Sequence, residues 1–149
     1  MTRFFALAVF GIALVSTLAE AQSTTIHVIA KIVESTFIGT PNNPKIGDQF
    51  INRVVMFDEQ DNEVGTGVGI CTFFSVPPQD TLLQCLITSV FDNRGQIMFG
   101  GVVPPPNVGG EGHFGMLGGT GEFRTARGEV TIVVLTPDTQ DATCNGAIT

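Results

Sequence analysis

Three cysteines, Cys71, Cys85 and Cys144, carry the most distinctive chemistry in this 149-residue chain. A thiol can form a disulfide, bind a metal or act as a nucleophile, and nucleophilic chemistry needs a thiolate stabilised by nearby cations. Cys71 and Cys85 lie at equal distances from Pro78, so a hairpin over this region would bring them face to face across the ladder. No basic residue lies near them in the sequence. We expect a Cys71–Cys85 disulfide, with a reactive thiol as the alternative and Cys144 either free or intermolecular.

The two histidines, His27 and His113, are the other candidates for a metal site or a catalytic triad. They lie far apart and neither has a cluster of Cys or Asp beside it, so we predict no metal site and no Ser-His-Asp triad. The glycine-rich segments 65–69 and 118–121 lack the Gly-Lys-Ser/Thr ending and the helix of a phosphate-binding loop. We interpret both segments as backbone bends.

The first 21 residues have the pattern of a secretory signal peptide. Arg3 gives a positive start, residues 4–18 form an apolar run, and residues 19–21 form a small-x-small cleavage site. A membrane anchor is the alternative, but a run of about 15 residues is shorter than the ~20 needed to span a bilayer. We therefore expect cleavage near Gln22 and a secreted product, either extracellular or periplasmic.

The charge of the chain excludes two classes of partner. The formal net charge is −7 and only 14% of the residues are charged, with no cluster of Lys or Arg. Nucleic acids and anionic membrane surfaces attract basic patches, so we predict neither as a partner of the mature chain. Length and composition favour one ordered domain, which we place at residues 22–135, followed by a polar C-terminal tail at residues 136–149.

Strand signals recur along the whole domain, separated by turn residues, and no helical period is visible. This pattern predicts an antiparallel sandwich or a closed barrel. Several strands are apolar on both faces, which implies either a filled interior with an outer face covered by another subunit, or an apolar cavity. The predicted strands are Thr24 to Phe37, Gln49 to Asp58, Val64 to Val76, Leu82 to Phe91, Gln96 to Val103, His113 to Leu117 and Phe123 to Leu135.

A glycine turn with an Ala-Arg-Gly ending, residues 118–128, resembles a signature shared by dirigent proteins and allene oxide cyclases. Segments 47–50, 64–72 and 95–101 resemble further motifs of these proteins and follow in the same order. The resemblance implies an all-β fold, a small closed antiparallel barrel of eight strands. It also implies a homodimer or homotrimer.

The activity implied by the resemblance needs no cofactor. Such barrels hold a flexible, reactive and hydrophobic small molecule in an apolar pocket, so its orientation is fixed before a bond forms. We therefore expect a secreted dirigent-like or cyclase barrel that steers stereoselective coupling or cyclisation, which as an intramolecular cyclase would be an isomerase. The alternative is a non-catalytic barrel that binds a lipid-like ligand or a protein partner, since the chain has no tyrosine to match those of allene oxide cyclase pockets.

The resemblance also selects candidate catalytic residues, namely Glu34, Asp48 and Arg53. A carboxylate at an apolar cavity mouth would have a raised pKa and could act as a general acid or stabilise a positive intermediate. Each residue also has a purely structural interpretation: Glu34 as a solvated strand end, Asp48 as a turn former and Arg53 as one half of a rim ion pair. For the substrate pocket we expect a volume of roughly 300 Å³ or more. Its predicted lining residues are Phe50, Phe57, Phe73, Phe74, Phe91 and Phe99.

Overall fold

The computed structural model describes residues 23–147, which form eight antiparallel strands. Each strand pairs with the next along the chain and the last pairs with the first, so the sheet closes into a barrel. The predicted eight-stranded antiparallel barrel is confirmed. The strands are β1 (Ser23–Ile38), β2 (Gln49–Phe57), β3 (Glu63–Ser75), β4 (Leu82–Phe91), β5 (Gly95–Val103), β6 (Glu111–Gly119), β7 (Arg127–Thr136) and β8 (Thr139–Ala147).

The seventh strand begins later than predicted, because a short 3-10 helix, Gly121–Phe123, precedes it. The predicted signal peptide, residues 1–21, lies outside the described residues. Within residues 23–147 no helix is long and apolar enough to cross a membrane.

The prediction of a polar tail at residues 136–149 is wrong for most of its length, since β8 lies there and closes the barrel. Thr143 on β8 pairs with His27 on one side and with Thr131 on the other. The inward positions of β8 include Ala142 and Cys144, which are both buried. Small inward residues and polar outward ones give a weak alternating signal, so composition alone predicted a tail.

One end of the barrel is sealed by the glycine turn. Phe123, Ile97 and Val130 are fully buried, and the ring of Phe123 lies 5.2 Å from that of Phe91. Gly121 adopts a φ of +61°, a left-handed conformation that glycine takes without strain. The backbone N–H of the following residue donates to the Arg94 carbonyl over 2.8 Å, which joins this turn to the turn between β4 and β5.

The predicted disulfide is present. Cys71 on β3 and Cys85 on β4 are direct cross-strand partners with Cα atoms 4.0 Å apart, and both are buried on the inner face. Cys144 is a buried free thiol.

The outer wall formed by β3 to β6 is unusually apolar. Ile70 and Leu86 are direct cross-strand partners on this wall, and they are 39% and 46% exposed. Contiguous exposed apolar surface of this kind is typical of an interaction face. We call it the outer apolar face, formed by Val68, Ile70, Leu86, Met98, Val102 and Leu117.

Candidate functional site

The barrel encloses a cavity of about 130 Å³ on its axis. This volume is below the roughly 300 Å³ expected from sequence, and it is close to the ~150 Å³ of an engineered apolar cavity that binds benzene. The expectation of a cavity of roughly 300 Å³ or more is therefore corrected. The enclosed space holds about one ring, and anything larger must extend through the mouth.

The cavity exists partly because β3 carries no side chains along much of its inner face. Gly65, Gly67 and Gly69 occupy three successive inward positions of this strand, and Gly69 lines the cavity. Strands β1 and β8 carry the small residues Ala30 and Ala142 on the cavity wall. Interpreted from sequence as a backbone bend, the glycine-rich segment 65–69 in fact removes side-chain volume from the interior.

The mouth lies at the end of the barrel opposite the glycine turn. Pro104, Pro105 and Pro106, which follow β5, line the cavity together with Asn107 and Gly110 of the loop before β6. Three prolines in succession fix the backbone of this loop and cannot donate to the ladder. They give the mouth a stiff apolar rim.

Three of the six predicted phenylalanines, Phe50, Phe91 and Phe99, line the cavity. Phe114 joins them, with its ring 5.9 Å from that of Phe99 in an edge-to-face arrangement. Phe114 was not among the predicted lining residues, although its alternation with the outward His113 is a usable signal in the sequence.

The other three predicted phenylalanines do not line the cavity. Phe73 is buried against Phe37, with ring centroids 6.1 Å apart. Phe57 lies under the Lys31 ammonium group, whose nitrogen is 4.2 Å from the ring centroid. Phe74 is 56% exposed on the outer wall. Their positions follow from strand alternation, which places Phe73 and Phe74 on opposite faces of β3.

The structure brings Glu34 and Arg53 together, but outside the cavity. Arg53 Nε donates to Glu34 Oε2 over 3.2 Å, and both side chains are more than half exposed. The cause is a β-bulge at Val33, between the pairs that Ile32 and Glu34 make with β2. One extra residue reverses the alternation of inward and outward positions. Ile32 lies on the inner face, but after the bulge Glu34 points outward and Ser35 takes the next inward position.

Asp48 also lies away from the cavity and organises the turn before β2. Its Oδ2 accepts hydrogen bonds from the backbone N–H of Lys45, over 2.9 Å, and of Thr40, over 3.1 Å. These two bonds favour the ionised form and lower the pKa of Asp48 below its usual value. The arrangement matches the turn-forming interpretation of this residue.

Neutral polar groups face the cavity in place of the predicted charged ones. Asn52 follows Phe50 on the inner face of β2, and its Oδ1 accepts a hydrogen bond from Ser35 Oγ over 2.7 Å. Because the carbonyl oxygen is occupied by Ser35, the amide N–H groups of Asn52 are left for a ligand. Gln140 on β8, two strands from Asn52 around the barrel, contributes a second amide.

The Cys144 thiol lines the cavity in its neutral form. Burial removes the thiolate from water and raises the pKa of Cys144 to about 11. At neutral pH the group is therefore a protonated, weakly polar thiol and a poor nucleophile.

The electrostatics of the cavity select against charged ligands. Among residues 23–147, no Lys, Arg or His lines it, and its one carboxylate is Glu111 at the rim, 3.1 Å from His113 Nε2. A buried anion would have no partner, and unpaired buried charge is strongly unfavourable. In the described part of the chain no group of three His, Cys, Asp or Glu side chains is placed to hold a metal ion.

Comparison with known proteins identifies the family of this barrel. The sequence pattern of the allene oxide cyclase barrel-like domain matches residues 23–143. The chain belongs to the allene oxide cyclase barrel-like family. No curated protein matches it in sequence. The family match extends into β8, in agreement with the strand that the structure shows where a tail was predicted.

Several solved structures share the family barrel. A pyocyanin demethylase is 26% identical, with a TM-score of 0.70 over 82% of this chain and 99% of that one. An exo-specific intermolecular Diels–Alderase is 14% identical, with a TM-score of 0.70 over 84% of this chain and 98% of that one. A pterocarpan synthase dirigent protein is 17% identical, with a TM-score of 0.66 over 99% of this chain and 98% of that one. The last two show likeness of fold alone.

Proposed function

We propose that this allene oxide cyclase-like barrel binds a small, neutral, hydrophobic intermediate in its cavity and steers its stereoselective cyclisation or coupling without a cofactor. The observation that carries the proposal is the cavity itself, whose walls are aromatic and aliphatic and whose interior polar groups are neutral, with the one carboxylate, Glu111, at the rim. A pocket of this kind provides orientation and exclusion of water, which accelerate a reaction that the substrate is already able to undergo.

Asn52 gives the cavity a fixed direction. Ser35 holds the amide carbonyl, so the amide N–H groups are preorganised for an oxygen on the bound molecule. A donor placed where negative charge develops stabilises that charge without reorganisation during the reaction. The proposed chemistry is therefore polarisation of a carbonyl or ether oxygen by Asn52 while the phenylalanines fix the conformation of the ring.

The size of the cavity limits what it takes. With about 130 Å³ enclosed, one ring fits inside and a longer substituent lies along the proline rim. The relatives of this barrel are named for a demethylation, a Diels–Alder reaction and pterocarpan synthesis. Because these reactions differ, the comparison supports binding of a small molecule more strongly than it supports any one reaction.

The positions of the predicted charged residues favour a second candidate, a non-catalytic barrel that only binds its ligand. Glu34, Arg53 and Asp48 all lie outside the cavity, so none contacts a molecule held there. Without an ionised acid or base inside, catalysis rests on orientation and on the neutral amide of Asn52 alone. A barrel in which neither orientation nor the Asn52 amide accelerates a reaction would still bind its ligand in the same cavity and would act as a carrier.

We further propose that the chain is exported and self-associates as a homodimer or homotrimer. The signal-like residues 1–21 and the buried disulfide support export into an oxidising compartment. The outer apolar face supports association, since Leu117 and Val102 are 62% and 52% exposed there. Light scattering of the purified protein tests the self-association, and a monomeric mass would contradict it.

Two variants on β8 test the cavity directly. Ala142→Leu adds three carbons to the cavity wall, whereas Thr143→Leu adds bulk at the next residue, on the opposite face of the strand. Both proteins and the parent are secreted from the same host, checked for folding by thermal unfolding, and analysed by native mass spectrometry for a retained small molecule. We expect the parent and Thr143→Leu to retain it and Ala142→Leu to lose it.

The retained molecule then separates the two candidates. If the protein changes the rate or the stereochemistry of its cyclisation or coupling, the steering function stands. If the protein binds it and leaves its chemistry unchanged, the chain is a carrier. If neither the parent nor Thr143→Leu binds any hydrophobic small molecule, the proposed function is wrong.

A further inference from the structure

Ser89 on β4 is a buried polar residue inside the cavity wall. Its residue surface is 8% exposed, and it is the polar member of an otherwise hydrophobic buried set. The Ser89 hydroxyl forms no hydrogen bond with any of residues 23–147. Every side-chain N or O atom in this part of the chain that is fully sealed from solvent has a hydrogen-bond partner, so the Ser89 oxygen is not fully sealed. The hydroxyl is therefore open to the cavity that Ser89 lines.

The neighbours of Ser89 keep the hydroxyl open and surround it with apolar surface. Its cross-strand partner on β3 is Gly67, where a Cβ would lie 3.7 Å from Ser89 Oγ. Its partner on β5 is Ile97, which is fully buried. Phe91 and Phe99 line the same cavity. A hydroxyl in such surroundings gains most from a hydrogen bond that a ligand brings, because burial without one is unfavourable.

We propose that Ser89 is a ligand-recognition residue, and that the cavity takes a ring that carries one neutral oxygen at its buried end. The inference rests on the proposed function, since it names the class of molecule for the same cavity. The serine hydroxyl both donates and accepts, so a phenolic hydroxyl or a ring carbonyl satisfies it. An ionised oxygen does not fit, because no cation among the described residues lines the cavity.

Two probes of nearly equal size test this inference. Phenol carries the neutral oxygen and toluene carries a methyl group in its place. NMR titrations of the full mature protein with each probe give the two dissociation constants. The hydrogen bond to Ser89 should improve the affinity for phenol relative to toluene by about fivefold to tenfold, which lies within the range that one net hydrogen bond provides.

Variants of β4 supply the matched comparison. Ser89→Ala should weaken phenol binding relative to toluene binding by this same factor while toluene still binds, because the difference in hydration between the two probes is the same for the parent and the variant. Thr88→Ala removes a hydroxyl at the adjacent position, which lies on the other face of the strand, and should keep the preference of the parent. Thermal unfolding confirms that both variants fold.

The outcomes distinguish this inference from the function beneath it. If both probes bind the parent and Ser89→Ala leaves the ratio of the two dissociation constants unchanged, the role of Ser89 is overturned and the cavity remains a ligand site. If the parent binds neither probe, the proposed function fails as well.

Discussion

Alkylation of Cys144 by iodoacetamide should be about 100-fold slower in the folded barrel than in the unfolded chain at pH 8. The pKa of this buried thiol is raised to about 11 from an ordinary value of 9.0. Only the thiolate reacts, and its fraction at pH 8 is about 0.1% for the folded protein against about 9% for the unfolded chain. Cys71 and Cys85 are joined in a disulfide, so Cys144 is the reacting thiol among the described residues.

The dependence of the rate on pH separates burial of charge from simple obstruction. The rate in the folded protein should keep rising from pH 8 to beyond pH 10, whereas the rate in urea should level off above pH 9. Mass spectrometry of quenched samples follows the reaction, and Cys144→Ser gives the background. A folded-state rate that levels off near pH 9, or that lies within tenfold of the urea rate at pH 8, would refute the reasoning.

Four further changes test the stability of the barrel, each by urea unfolding. Replacing Cys71 and Cys85 together by serine should lower the free energy of unfolding by about 3 kcal/mol, since the disulfide closes a loop of about 15 residues. Leu83→Ala should lower it by about 2–5 kcal/mol, because Leu83 is 1% exposed. Glu34→Gln should lower it by less than about 1 kcal/mol and leave toluene affinity unchanged, since its ion pair is exposed. Asp48→Ala should lower the free energy of unfolding above pH 3.8, because backbone hydrogen bonds to the Asp48 carboxylate lower its pKa in the folded state. Below that pH the carboxylate of the parent becomes protonated and these bonds no longer stabilise the fold, so the difference between the two proteins should shrink.

Much of the strand order could be predicted because local patterns and turns agree. Residues 82–91 alternate between buried and more exposed positions, except that Ile87 and Thr88 are both half-buried, and the predicted strand matches β4 at both ends. The closing strand β8 could not be recognised, because its buried positions are small residues such as Ala142 and Cys144. Its strand conformation depends on pairing with both β1 and β7, which are distant in sequence.

The site was harder to predict than the fold, for a physical reason visible at Glu34. Counting alternate residues from Ile32 places Glu34 on the inner face, but the bulge at Val33 turns it outward. A bulge depends on the register of two strands, which local sequence does not determine. Local sequence also does not determine which face of a strand points inward. For this reason Phe57, Phe73 and Phe74 were predicted to line the cavity and Ser89 was not.

An NMR titration of the purified protein with toluene and, separately, with benzoate tests whether the barrel interior holds a small neutral hydrophobic molecule. Benzoate has a similar ring but carries a charge that the cavity cannot pair. We expect toluene to shift the resonances of residues that line the cavity, such as Phe99, Ala142 and Ser89, and benzoate to leave them unchanged. Equal binding of benzoate, or no shifts inside the barrel with toluene, would contradict the claim that the interior holds a small neutral hydrophobic molecule.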